Sequence, residues 1–308
     1  MHYADRLAEA ISLRNTPAVV GIDPVLEKLP PRFRPTAPSA VEAAAAIERF
    51  SFAVIDAVAD LVPAIKINSA FFEAFYEHGV AAYFRTIARA HQRGLLVIGD
   101  IKRGDIGSTS EFYARGHLAP PPFADVPAER LPDAVTLAGY FGFSVVAPFI
   151  EAAKKTGRGM YVLVRPSDPH SDQIHEFGGV RPLYWHMSEL VKHWGAGADL
   201  IGKSGLSCVG AVVAGRDAAE AHTIRNNMPH TPFLVPGFGA QGAAAAAVSA
   251  CFRRAGDGAI VNASRSVIYA IEQPRWKERC GDDAMLAVRL AAEEFATQAR
   301  DMARAASQ

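Results

Sequence analysis

The sequence predicts an α/β protein of the (β/α)8, TIM-barrel class, organised as a single domain over residues 1–308 with a helix at each end. Eight short apolar segments recur along the chain with room for a helix between each pair. Each segment is nearly continuously apolar instead of alternating, the pattern of parallel strands covered by helices on the outside. No linker or break in composition divides the chain. An open, doubly wound sheet shares this alternation, but eight repeated right-handed crossovers favour a closed barrel.

In chain order, the opening stretch MHYADRLAEAISLRN reads as an amphipathic helix with charges throughout and no apolar signal segment. The strand candidates follow as AVVGI, AIKIN, LLVIGDIK, AVTLAG, MYVLVR, SCVGAVV, FLVPG and GAIVNAS. Between the first two, Ser39 and Glu42 have the spacing of a capping box ahead of the alanine-rich helix AVEAAAAIERFSFAVIDAVADL. The next helix, SAFFEAFYEHGVAAYFRTIARAHQR, reads as continuous and ends at Gly94, a left-handed C-cap. HLAPPPFADVPAERLP holds too much proline for a helix and reads as a surface excursion. The stretch from Arg165 to Asp199 begins as a polar loop and closes with a helix, and is a candidate lid.

Composition narrows the function. Acids and bases balance at 32 each, which supplies no basic surplus for nucleic acid, so any charged ligand must be met locally. No apolar run is long enough to span a bilayer. The three cysteines, Cys208, Cys251 and Cys280, show no CxxC spacing and support neither a disulfide framework nor a zinc site, so a reducing cytoplasm is expected.

The third strand candidate ends in charge: VIGDIKRGDIGST sets Asp100, Lys102 and Asp105 directly after a buried run. Residues two apart on a strand share a face, so Asp100 and Lys102 should project together into the barrel mouth, where barrel chemistry takes place. Lys66 ends the neighbouring strand, whereas Asp105 lies beyond its strand and can reach the group only by loop folding or from another subunit. Alternating lysines and aspartates give every buried charge an opposite neighbour. A salt-bridge network that merely closes the barrel top is the plainer reading. Two carboxylates can bind Mg²⁺, but the two lysines already neutralise them, so a metal-free site is expected.

A phosphate site is expected at the loops after the seventh and eighth strands. There VPGFGAQGA offers Gly237 and Gly239 for close backbone approach and Gln241 as a donor, while Arg265 in VNASRSVI can form a charge-assisted fork. Such glycines are also ordinary turn residues. Asp23, ending the first strand, can accept hydrogen bonds from sugar hydroxyls or form an Asx turn before Pro24.

Together these residues resemble the orotidine 5′-monophosphate decarboxylases, in particular their longer bacterial group (type 2), over nearly the whole chain. The most specific part is the pattern D-x-K-x-x-D-I-x-x-T, present as Asp100, Lys102, Asp105, Ile106 and Thr109. The resemblance implies decarboxylation of orotidine 5′-monophosphate (OMP) to UMP, the last step of de novo pyrimidine synthesis, with no cofactor. It implies Lys102 as proton donor, Asp100 beside the substrate carboxylate, and Lys66 and Asp105 completing the charge network. Asp23 and Thr109 fall near the ribose, Ser167 near the pyrimidine edge, and Gln241 and Arg265 at the phosphate. A homodimer is implied, with the segment from Asp105 to Thr109 reaching into the partner's barrel. The chain departs from the group's pattern with KIN for K-P-N, RPSDP for R-T-S-N-P and TLAGYFG for T-V-N-P-Y-L-G, which leaves the four central charges untouched. Two other readings share the barrel: a Mg²⁺-dependent sugar-phosphate decarboxylase or aldolase, whose kind tends to carry a carboxylate where Lys66 stands, and an inactive nucleotide-binding barrel.

Overall fold

The structure, a computed structural model, describes residues 1–37, 39–237 and 245–307. Eight parallel strands close into a barrel in sequence order. They are β1 (Ala18–Ile22), β2 (Ala64–Asn68), β3 (Leu96–Arg103), β4 (Ala134–Leu137), β5 (Gly159–Arg165), β6 (Val209–Val213), β7 (Phe233–Val235) and β8 (Ala259–Ala263). Each coincides with one of the apolar segments read from sequence. Pairing of Ala18 with Val261 and of Val20 with Ala263 joins the last strand to the first.

Both faces of this sheet are covered, which is why the strands are apolar throughout. Outside, residues such as Val20, Ile65, Val97 and Val162 pack under the surrounding helices. Inside, every strand contributes one residue to a central layer: Val19, Ala64, Ile98, Ala134, Tyr161, Val212, Leu234 and Ile260. Alanines facing large side chains let this layer fill the barrel without a channel. Tyr3 and Leu7 of the helix Tyr3–Arg14 complete the same cluster.

That N-terminal helix plugs the barrel's lower end. The Tyr3 hydroxyl lies 3.0 Å from that of Tyr161, and Gly159 makes room for the Tyr3 ring, where a Cβ would sit 2.3 Å away. Asp5 accepts the backbone N–H groups of Lys203 and Ser204, and Arg6 pairs with Asp133. Asp133 also accepts from the Val97 N–H at 2.8 Å and meets His91 Nε2 at 2.9 Å. His91 Nδ1 faces the Glu129 carbonyl at 2.7 Å. Both ring nitrogens thus face groups that only accept, which requires an imidazolium. Burial opposes its charge, but the hydrogen bond and charge of Asp133 outweigh that and raise the His91 pKa.

Two expected local features differ. The Ser39 hydroxyl accepts the Glu42 N–H at 3.2 Å, but the Ser39 N–H donates to Ala37 instead of to Glu42, so the capping box is half made. The expected single helix after β2 divides into Ala70–Glu73 and Tyr76–Gln92, with Tyr76 at φ 53°. The break lets the second piece fold back so closely that a Cβ at Gly79 would lie 1.8 Å from the Phe72 carbonyl oxygen. Gly94, at φ 74°, ends the second helix in the left-handed conformation expected. The proline-rich excursion runs over the surface, with Phe123 exposed and one turn at Ala128–Arg130. No helix among the described residues is long and apolar enough to cross a membrane.

Candidate active site

The upper ends of β2 and β3 bring the predicted charges together. Lys66 Nζ donates to Asp100 Oδ2 at 2.6 Å, and Lys102 Nζ donates to Asp100 Oδ1 at 2.5 Å. Asp23, beyond the end of β1, lies 3.7 Å from Lys66. Exposure separates the two lysines: the Lys66 side chain is 7% exposed and that of Lys102 48%. Lys66 is therefore locked beneath the carboxylate while Lys102 can meet a ligand.

Burial alone would raise the Asp100 carboxyl pKa, but the charges of Lys66 and Lys102 and their hydrogen bonds hold it well below the ordinary carboxylate range. For Lys66, burial disfavours the ammonium, yet Asp100 and then Asp23 more than restore it and raise its pKa. Asp100 and Lys66 thus form an ionised pair.

Backbone geometry explains how residues 100 and 102 both reach the mouth. β3 follows β4 through Gly99 opposite Val135, then shifts register so that Arg103 stands opposite Leu137. Lys102 lies in this irregular stretch at φ 42°. The Thr136 hydroxyl sits against it, donating to Asp100 Oδ1 at 2.8 Å and accepting the Lys102 N–H at 3.0 Å. Sequence reasoning missed Thr136, since one threonine in an apolar strand carries no distinguishing signal.

These groups form one side of a cavity of about 290 Å³. Leu163, Val212 and Leu234 give it an apolar floor, Ser167 and Asp168 one wall, and Gly237 and Arg265 the opposite end. Arg265 opens the short helix Arg265–Ile268 and pairs with no carboxylate among the described residues. Asn262 also lines the cavity, and its buried Oδ1 has no hydrogen-bond partner among the described residues. Asn68 lines it too while capping the next helix, its Oδ1 accepting the Ala70 N–H at 3.2 Å.

Of the predicted site residues, Asp23, Lys66, Asp100, Lys102, Ser167, Gly237 and Arg265 are therefore gathered around one space. Gly239 and Gln241 lie outside the described residues. Asp105, Ile106 and Thr109 do not line the cavity of their own chain, where Lys66, Asp100 and Lys102 meet together with Asp23. The chain turns away after Arg103, and Asp105 Oδ1 accepts the Ile106 N–H at 2.7 Å. Ile106 is 62% exposed and Thr109 is exposed.

The loop that supplies Ser167 is anchored from below. Arg165, the last residue of β5, is buried and donates to Asp172 and Glu220, each at 3.0 Å, and to Glu176. Arg216 adds a second cation on Asp172. The candidate lid is thus tied to the helix Ala218–Asn227 after β6.

Residues 41–275 match the family described as "Orotidine 5'-phosphate decarboxylase / HUMPS family". The chain belongs to that family. The orotidine 5′-phosphate decarboxylase of Rhodopirellula baltica is 36% identical over 276 residues, which cover 88% of this chain and 89% of the relative. That of Clostridium perfringens is 32% identical over 269 residues, covering 87% and 88%. Among solved structures, the OMP decarboxylase of Leishmania donovani superimposes with a TM-score of 0.73 at 26% identity, covering 99% of each chain. The family match runs from the helix after β1 through β8, and so takes in Lys66, Asp100, Lys102 and Arg265.

Proposed function

We propose that this chain decarboxylates OMP to UMP in pyrimidine synthesis, with no cofactor. The observation that carries the reading is the Lys66, Asp100 and Lys102 array, one carboxylate held between two ammoniums at the edge of a cavity whose far end holds Arg265. The bond from ring carbon 6 to the carboxylate breaks, carbon dioxide leaves, and the electron pair stays on carbon 6. Lys102 stabilises that pair and gives carbon 6 a proton, which water then restores to the amine. Asp100, held ionised, crowds the substrate carboxylate until it departs as a neutral molecule. The Lys102 contribution is the larger, because a fixed charge aimed at developing charge acts where the barrier lies.

Arg265 and the backbone at Gly237 are suited to the phosphate; the glycine loop adds Gly239 and the family pattern assigns Gln241 there. Binding energy from that remote group orders the site for chemistry. Asp23 takes the ribose side and Ser167 the pyrimidine edge. We infer a homodimer in which Asp105, Ile106 and Thr109 serve the partner's cavity; none of the three lines its own cavity, and Ile106 and Thr109 are exposed, which supports this. The three free thiols suit a reducing cytoplasm.

Lys66 separates this reading from the Mg²⁺-dependent sugar-phosphate relatives. It places an ammonium on Asp100 where those relatives tend to carry a carboxylate, and repels a dication. The test is loss of orotidylate absorbance on adding purified protein, with and without EDTA. Equal rates in both are expected. Failure to convert OMP, or loss of the activity in EDTA, overturns the proposal.

A further inference from the structure

We propose that Thr136 is a positioning residue for Lys102, its one hydroxyl setting both the backbone and the charged end of the proton donor. The claim rests on the decarboxylase reading for its kinetic arm and on geometry for the rest.

Between the paired positions Gly99 with Val135 and Arg103 with Leu137, β3 runs through Asp100, Ile101 and Lys102 while β4 runs through Thr136 alone. Three residues thus stand opposite one. Such a bulge turns a strand end and leaves backbone groups without ladder partners. Here it brings Lys102 to φ 42°, a left-handed conformation that a non-glycine residue holds only where its surroundings fix it. The freed Lys102 N–H is taken by Thr136 Oγ1 at 3.0 Å, a side-chain acceptor where a regular ladder would offer a carbonyl.

That contact determines the hydroxyl's orientation. An N–H can only donate, so Oγ1 accepts from Lys102. The ionised Asp100 carboxylate can only accept, so the hydroxyl proton points to Oδ1, 2.8 Å away. The same Oδ1 holds Lys102 Nζ at 2.5 Å. The ring of contacts runs from Lys102 N through the Thr136 hydroxyl and Asp100 Oδ1 back to Lys102 Nζ. Both ends of one lysine are referenced to a single buried atom. Thr136 is 1% exposed, so water has little access with which to replace it.

The test compares Thr136→Val, which keeps the shape and removes both hydrogen bonds, with Thr136→Ser, which keeps the hydroxyl. The valine variant should lose about tenfold to a hundredfold in kcat, the scale of a small misplacement of a reacting group, with KM within about threefold of the parent. The serine variant should recover kcat to within about threefold. Without substrate, amide hydrogen exchange at Lys102 should speed up in the valine variant alone, while the amides of β5 to β8 stay protected. A valine variant with unchanged kcat, a serine variant as slow as valine, or unprotected exchange across the whole barrel overturns the proposal. If the parent protein does not convert OMP, the functional reading fails. The Lys102 exchange then decides the positioning claim by itself, because faster local exchange supports it and unchanged exchange overturns it.

Discussion

Asp100 divides its two oxygens between two ammoniums, and only one of those ammoniums faces the cavity with freedom to act. Replacing Lys102 with alanine should therefore abolish turnover by at least about a thousandfold, since it removes the charge aimed at the developing carbanion. The fold should be retained, because the buried Asp100 carboxylate keeps its ion pair with Lys66. Near-normal UMP formation by a folded Lys102→Ala protein would remove the lysine from its role. The pairing of Asp100 with Lys102 was legible in the sequence because two-residue spacing on a strand suggests a shared face, although the structure reaches it through a bulge. Thr136 was not, because its use depends on a register shift between strands more than 30 positions apart, as the separation of 36 between Thr136 and Asp100 records. Asp105 does lie beyond its strand, as its place in the sequence predicts, where the chain has left its own cavity.

Helices and loops around the barrel are fastened by single ionic nodes, and their strength should vary with pH. The Asp133 carboxylate joins His91, Arg6 and the start of β3, with Arg158 a further cation nearby. Because the folded pKa of His91 is raised, its stabilisation is full below the unfolded value of about 6.5 and is lost as pH rises through the folded value. Asp133 is held low, so its share is present above the unfolded value of about 3.9 and is lost as pH falls through the folded one. As pH rises from about 6, thermal stability should decline further in the parent than in His91→Gln, the difference approaching the ~1.5–3 kcal/mol of a charged hydrogen bond. Parallel declines in the two proteins would sink the assignment. At the other end of the barrel, Arg165→Met leaves Asp172, Glu176 and Glu220 without their common cation. The cost should stay below the ~3–5 kcal/mol of a fully buried pair, because two of these acids face water. KM for OMP should rise more than kcat falls, as the Ser167 wall loosens; an unchanged KM would dismiss Arg165 as an anchor. Apolar content and proline marked where these elements begin and end, but not the break at Tyr76, which brings Phe72 and Gly79 together across a turn.

For the whole molecule, strand order was readable because each barrel strand neighbours its successor, so eight covered apolar runs imply one closure. The proposed homodimer adds a test that one chain cannot supply. If Asp105 serves the partner, a Lys102→Ala chain and an Asp105→Ala chain, each inactive alone, can form a heterodimer in which one site carries both lesions and the other neither. Refolding the two together should restore activity, up to one working site per heterodimer. Confirmed heterodimers without activity would show that sites are not shared. The N-terminal plug bears on synthesis as well as on the finished barrel. Arg6 must wait 127 residues for Asp133, Tyr3 158 for Tyr161, and Asp5 199 for Ser204. On a ribosome adding ~5–20 residues per second, this helix thus stays without its partners for roughly ten seconds or more before the last of them emerges. An isolated helix of 12 residues is marginal in water, so this segment is ordered only after partners far downstream have been made. Throughout that interval the apolar face bearing Leu7 is open to any chaperone that meets the nascent chain.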